Sequence, residues 1–173
     1  MAGRSDLSKA DALFDEFGGS LARYVARLTG DGDEADDVVQ EVYLRFLARP
    51  PANDANLRAW LFTVATNLVR DRARERHREL LQRQDEQLPS TTRAETRVEL
   101  ADARRELTAL LAPLGQRDRT ILLMRSEGFP HREIAEAVGT TTRSVGTMIA
   151  RALRTIRKHI AGTRRREEHD DHA

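Results

Sequence analysis

Cysteine is absent from all 173 residues, which removes disulfides, cysteine-ligated zinc and thiol catalysis together and leaves stability to packing alone. The same absence excludes direct thiol redox sensing by this chain, so any oxidative control has to enter through another molecule. Glycine and proline are sparse, at 10 and 5, beside 39% hydrophobic and 33% charged residues, a balance that suits one or two helical domains. No apolar run approaches the roughly 20 residues that span a bilayer, and the stretch from Met1 to Lys9 lacks the apolar core of a signal peptide. A cytoplasmic location with no membrane contact is the expectation. Enzyme signatures are missing as well: there is no P-loop, no His-Glu-x-x-His and no Gly-x-Ser-x-Gly. The five histidines are scattered at 77, 131, 159, 169 and 172. The expectation is therefore no catalysis, no cofactor and no metal, with His169 and His172 belonging to a polar tail over 163–173.

What is present is polarised. Residues 1–64 carry 7 basic and 11 acidic side chains, whereas 113–166 carry 12 and 4. A local excess of positive charge is a footprint for a polyanion, and an acidic first third suits a basic protein surface. Charge alone leaves open that these are simply solvated helix faces.

Apolar spacing divides the chain. Leu13, Phe14, Phe17, Leu21, Tyr24, Val25 and Leu28 mark an amphipathic helix that Gly30 to Gly32 ends. Val38, Val39, Val42, Phe46 and Leu47 mark a second, stopped by Pro50 and Pro51. Leu57, Trp60, Leu61, Val64, Ala65 and Leu68 begin a third, whose end from Arg70 to Glu79 alternates charge and should project into solvent. Trp60 keeps register with Leu61 and Val64, so packing is expected of it rather than stacking on a base. Residues 82–96 lose periodicity and include Pro89, Ser90, Thr91 and Thr92, which reads as a linker. Beyond it, Val98, Leu100, Ala103, Leu107, Leu110 and Leu111 suggest a further helix, followed by the apolar run Ile121 to Met124. The expected fold is all-α: two small helical domains, 10–81 and 97–162, joined by the linker. Domains of about 70 residues bury only a modest core, so each is expected to lean on a partner.

The second domain carries the sharper pattern. Ile134, Ala135 and Val138 form one short stripe, Gly139 suits a positive-φ turn, and Val145, Ile149, Ala152, Leu153 and Ile156 form the next. That is a helix-turn-helix layout. Thr141 can cap the second helix, leaving Thr142, Arg143, Ser144 and Thr147 at its exposed N-terminal half. Arg143 is placed to read a guanine edge, while Arg151, Arg154, Arg157 and Lys158 are better placed for phosphates. The pattern alone also describes a helical hairpin with a basic face.

These residues resemble a known family. Leu114 to Ile160, with Glu133-Ile134-Ala135, Gly139, Ser144-Val145 and Arg151-Ala152-Leu153, resembles region 4 of the extracytoplasmic-function (ECF) group of bacterial sigma factors, which binds the minus-35 promoter element. Asp36 to Leu44 resembles region 2.2, and Leu57 to Phe62 through Asn67, Leu68 and Asp71 resembles regions 2.3 and 2.4. The resemblance covers about 10 to 160. It implies that the chain brings core RNA polymerase to promoter DNA and helps to melt it. It further implies that Asp37, Gln40, Glu41 and Leu44 dock on the polymerase, with Asp37 and Glu41 exposed while Val38, Val39 and Val42 point inward. Asn53, Asn56, Asn67, Arg70 and Arg74 would meet the minus-10 element, where asparagines suit unstacked base edges and arginines the strand. Thr141, Thr142, Arg143, Ser144, Thr147 and Arg151 would meet the minus-35 element. An anti-sigma partner is also implied. The chain departs from the pattern at Gly146 and Met148-Ile149-Ala150, where many members are more basic or polar. Two other classes compete on the residues alone, a helix-turn-helix regulator with a dimerising or sensing domain and a helical adaptor that binds no DNA. The Asp36–Leu44 and Trp60–Asp71 segments speak against both.

Overall fold

The computed structural model describes residues 4–51, 56–82 and 106–170, with side chains described over 8–51, 56–81 and 106–163. Every regular element among them is helical. The first helix, α1 (Arg4–Thr29), buries Leu13, Leu21, Tyr24, Val25 and Leu28 along one stripe. It ends at Gly30, whose φ of 81° lies in the left-handed region that glycine enters without strain. Asp31 then caps α2 (Gly32–Ala48), its Oδ1 accepting from the amides of Asp33 at 2.9 Å and Glu34 at 3.3 Å. Such a cap stabilises a helix by about 1 kcal/mol over alanine. Ala35, Val38, Val42 and Phe46 form the buried stripe of α2.

The third helix, α3 (Leu57–Gln82), buries Ala59, Leu61, Phe62, Ala65, Leu68 and Val69. From Asp71 onward it runs out into solvent, as its alternating charge implies; Leu80 and Leu81 are 48% and 53% exposed. Trp60 is half-buried with its ring edge-on to Phe46, 5.9 Å between centroids, a packing role. Inside the bundle the Thr66 hydroxyl donates to the Phe62 carbonyl at 2.7 Å. Thr66 has one hydroxyl proton, so the 2.7 Å contact with Tyr24 must be donated by the tyrosine. Burial holds that tyrosine hydroxyl far above its ordinary pKa; the Thr66 bond opposes the shift and the Glu127 charge adds to it. It stays a donor.

In the second half, 106–111 are helical and Leu111 and Leu114 are buried. Three helices follow: α4 (Gln116–Ser126), α5 (His131–Val138) and α6 (Thr142–Asp170). Gly139 has φ 65°, and Thr140 N donates back to Ala135 O at 2.9 Å, closing α5 in the left-handed cap its sequence implies. Val145 and Ala152 are buried on α6, with Met148, Ile149 and Ile156 partly so. Leu153, expected in this stripe, is 42% exposed. At 3.6 residues per turn Ala152 and Ile156 return to within about 20° of Val145, whereas Leu153 sits about 80° away. Leu110, expected on an apolar stripe, is likewise exposed.

The linker assigned to 82–96 and the helix expected from Val98 lie outside the described residues, apart from Gln82 and the helical piece at 106–111. The halves do not stay apart. Residues of both belong to one continuous core. Phe129, between α4 and α5, is 1% exposed with its ring 4.8 Å from that of Phe62. The Arg58 guanidinium sits 4.3 Å from the centre of the Phe129 ring. Glu127 draws Arg27 to 3.3 Å, and Arg119 donates to the Leu28 carbonyl at 3.3 Å. The partner on which each small domain leans includes the other domain.

Candidate polymerase and nucleic-acid interfaces

The exposed side of α2 follows from its buried side. Positions 37, 40, 41 and 44 fall at helical spacings of three and four, on one face. Asp37 and Gln40 are exposed and Leu44 is 59% exposed. Glu41 is half-buried, its carboxylate held by Arg45 at 2.9 Å. Gln40 and Leu44 also line a shallow apolar groove with Phe14, Val39 and Tyr43. Val39, which the sequence places inward with Val38 and Val42, is half-buried: it packs against the core at the edge of the stripe of Ala35, Val38, Val42 and Phe46 and also lines this groove. Phe14 meets Tyr43 edge-on at 4.8 Å, and Tyr43 donates to Asp11 at 2.9 Å. That bond raises the Tyr43 pKa above its usual value. Sequence reasoning missed this α1 contribution, since Phe14 reads as one more member of the core stripe.

Asn53 lies outside the described residues. Asn56 stands just ahead of α3, where its Oδ1 accepts from Ala59 N at 3.4 Å and its Nδ2 donates to Glu133 at 2.8 Å. Asn67, Arg70 and Arg74 share one face of α3 by their spacing. Asn67 and Arg70 already engage each other through a side-chain hydrogen bond, and Arg70 Nε is buried without a protein partner. Arg74 is exposed, 4.0 Å from Asp71. Arg76, further along, crosses to Glu34 at 2.7 Å.

At the start of α6, the Thr141 hydroxyl accepts from Ser144 N at 3.3 Å and lies 2.8 Å from the Ser144 hydroxyl. The helix therefore starts where the sequence places a cap. Thr142, Arg143 and Thr147 are exposed and Ser144 is half-buried. Arg143 and Thr147 are one turn apart on the same face, whereas Arg151 has swung about 80° from Arg143. Arg151 is exposed but committed, reaching both carboxylate oxygens of Asp118 at 2.7 and 3.0 Å. The structure brings the minus-35 candidates together at one helix end, with Arg151 at the edge of that set.

Two short helices, a left-handed glycine turn and a long basic helix make the second half a helix-turn-helix domain. Residues 13–79 match the model of sigma-70 region 2 and residues 104–156 match that of sigma-70 region 4. The ECF RNA polymerase sigma factor SigL of Mycobacterium tuberculosis is 34% identical over 152 residues, covering 84% of this chain and 85% of SigL. The chain belongs to the ECF sigma factors. The ECF sigma factor EcfG of Rhodopseudomonas palustris is 32% identical over 139 residues, covering 77% and 75% of the two chains. The fold of this sigma factor is shared with RpoE of Bartonella quintana, solved in complex with the anti-sigma factor NepR, at TM-score 0.68 and 21% identity over 86% of this chain and 94% of RpoE. It is also shared with CnrH, solved with the cytosolic domain of CnrY, at TM-score 0.67 and 20% identity over 94% and 99%. As an ECF sigma factor, the protein directs core RNA polymerase to promoters in transcription initiation. No helix among the described residues is long and apolar enough to cross a membrane.

Proposed function

We propose that this sigma factor docks core polymerase through Asp37, Gln40, Glu41 and Leu44 of α2. It takes the minus-10 element along Asn53, Asn56, Asn67, Arg70 and Arg74, and the minus-35 element at Thr141, Thr142, Arg143, Ser144, Thr147 and Arg151. The supporting observation is the division of α2: four apolar side chains buried on one side, and on the other Asp37, Gln40 and Leu44 left in solvent beside an apolar groove. An exposed polar row that includes Asp37, flanked by the half-buried Glu41 and by apolar surface, suits a large protein partner.

Melting the minus-10 element then involves no covalent chemistry, cofactor or metal. Unstacked bases are held by amide side chains and the strand by arginines, so binding energy alone shifts duplex toward open DNA. The work is done in the cytoplasm, where the template and polymerase are. An anti-sigma factor belongs to the same reading, because both structural relatives were captured with such a partner or with a partner's cytosolic domain. Run-off transcription over genomic fragments with core polymerase tests the whole: the purified chain should start transcripts from defined sites unaided. A requirement for a second sigma factor would overturn it in favour of a regulator.

A further inference from the structure

Just past its first turn α6 carries four small or apolar residues, Gly146 and Met148-Ile149-Ala150, and the fold gives them different uses. Met148 and Ile149 pack against the core from its edge. Gly146 is half-buried beside α5, where a Cβ would lie 3.8 Å from His131 Cε1. Of the four, Ala150 alone is left in solvent.

Its direction follows from helix geometry. At 3.6 residues per turn Ala150 falls about 20° to one side of Arg143, and Thr147 about 40° to the other. All three are exposed, while Val145 and Ala152 on the opposite side are buried. A helix laid in the major groove presents positions spaced by three, four and seven to base edges, and Thr147 and Ala150 stand four and seven residues beyond Arg143. Along the axis Ala150 is about 10 Å from Arg143, at most about three base-pair steps of 3.4 Å.

The chemistry open to that position is narrow. A methyl group neither donates nor accepts a hydrogen bond, so Ala150 is blind to the donor and acceptor pattern of the groove. The apolar feature that base pairs present there is the thymine C5-methyl, which alanine meets by direct contact. Gly146 and Thr147, one turn back, are also short, so this stretch of α6 is shaped to settle close to the groove floor.

We propose that Ala150 is a specificity-determining residue of the minus-35 site, packing its side chain on a thymine methyl within about three base pairs of the base that Arg143 reads. The proposal rests on the reading above of α6 as the minus-35 helix. Recognition is then divided between hydrogen bonds from Arg143 and methyl contact from Ala150.

A promoter fragment from which the chain starts transcripts with core polymerase supplies the probe. Each base pair of its minus-35 element is changed in turn, and each thymine on either strand is replaced singly by uracil, which lacks only the C5-methyl. Binding by the full chain with core polymerase should weaken about fourfold at one or two uracils, the equivalent of roughly 0.8 kcal/mol for one buried methyl group. Ala150→Gly should abolish that preference for thymine over uracil. Glycine at an exposed helix position costs about 1 kcal/mol of folding stability, and comparing two duplexes on one protein cancels that cost. An element in which no uracil weakens binding overturns the proposal, as does a thymine preference that survives in Ala150→Gly. If no change of base pair alters binding either, α6 reads no sequence, and the minus-35 assignment falls along with the role of Ala150.

Discussion

One guanidinium nitrogen of Arg151 reaches both carboxylate oxygens of Asp118, at 2.7 and 3.0 Å, and ties the middle of α6 to the start of α4. Arg143, two turns earlier, is exposed. The two arginines are therefore expected to behave differently on DNA. Arg143→Ala should lose roughly 1 to 3 kcal/mol on the cognate minus-35 element and little on unrelated sequence, flattening preference at one or two positions. Arg151→Ala should weaken all sequences alike, and Asp118→Asn, which releases Arg151, should strengthen all alike. Each phosphate that a side chain ceases or begins to neutralise moves the slope of log affinity against log salt by about 0.9. Promoter binding by the full chain with core polymerase, across minus-35 variants and salt, reads these effects. Altered base preference in either the Arg151 or the Asp118 variant would reverse the assignments.

Charge reversal on α2 should separate docking from folding. Asp37→Lys with Glu41→Lys is expected to abolish core polymerase binding. Glu41 gives up its pair with Arg45, a partly exposed helical pair of about 0.3 to 0.5 kcal/mol, and surface changes of this kind cost about 0.5 kcal/mol or less each. The melting temperature and helical spectrum should therefore stay near the parent's. Undiminished polymerase affinity in a folded variant would remove this face from the interface.

The buried pair Tyr24 and Thr66 predicts an asymmetry in stability. Tyr24→Phe removes a donor and leaves Thr66 still donating to Phe62 O, so its cost should be that of one hydrogen bond, about 0.5 to 1.5 kcal/mol. Thr66→Val strands a fully buried tyrosine hydroxyl, which costs about 1 to 3 kcal/mol. Denaturant unfolding of both variants measures the difference. A larger loss for Tyr24→Phe would mean that the hydrogen-bond direction is wrong.

Limited proteolysis should cut first within 82–96, the polar, aperiodic stretch of the sequence. The two fragments are then expected to co-elute under native conditions, held by Phe129, Arg58 and Glu127, and to part in high salt, which screens the ion pairs. Earliest stable fragments that begin within 30–70 or 120–155 would disprove the domain boundaries.

The sequence by itself determined whatever depends on spacing along one helix or on a single backbone position. Three- and four-residue periodicity announced α1, α2 and the buried half of α3, while Gly30 marked the end of α1, Gly139 a turn that needs positive φ, and Gly139 with Thr141 bracketed the turn of the helix-turn-helix. The exposed row on α2 could be read as the complement of its apolar stripe. Tertiary structure decided what depends on which helices meet. A periodic stripe says that a side chain turns away from water without saying how far, so Phe14 and Val39 read as core and proved to pack at its edge while also lining a groove. Phe129, flanked by Gly128 and Pro130, falls on no stripe, yet its burial joins the halves. Charged side chains are harder still. Asp118 lies 33 residues from Arg151 in sequence, Glu127 lies 100 from Arg27 and Glu133 lies 77 from Asn56. Charge and hydrogen bonding act through distances of a few ångströms that only folding creates, so chain order carries no trace of those pairings.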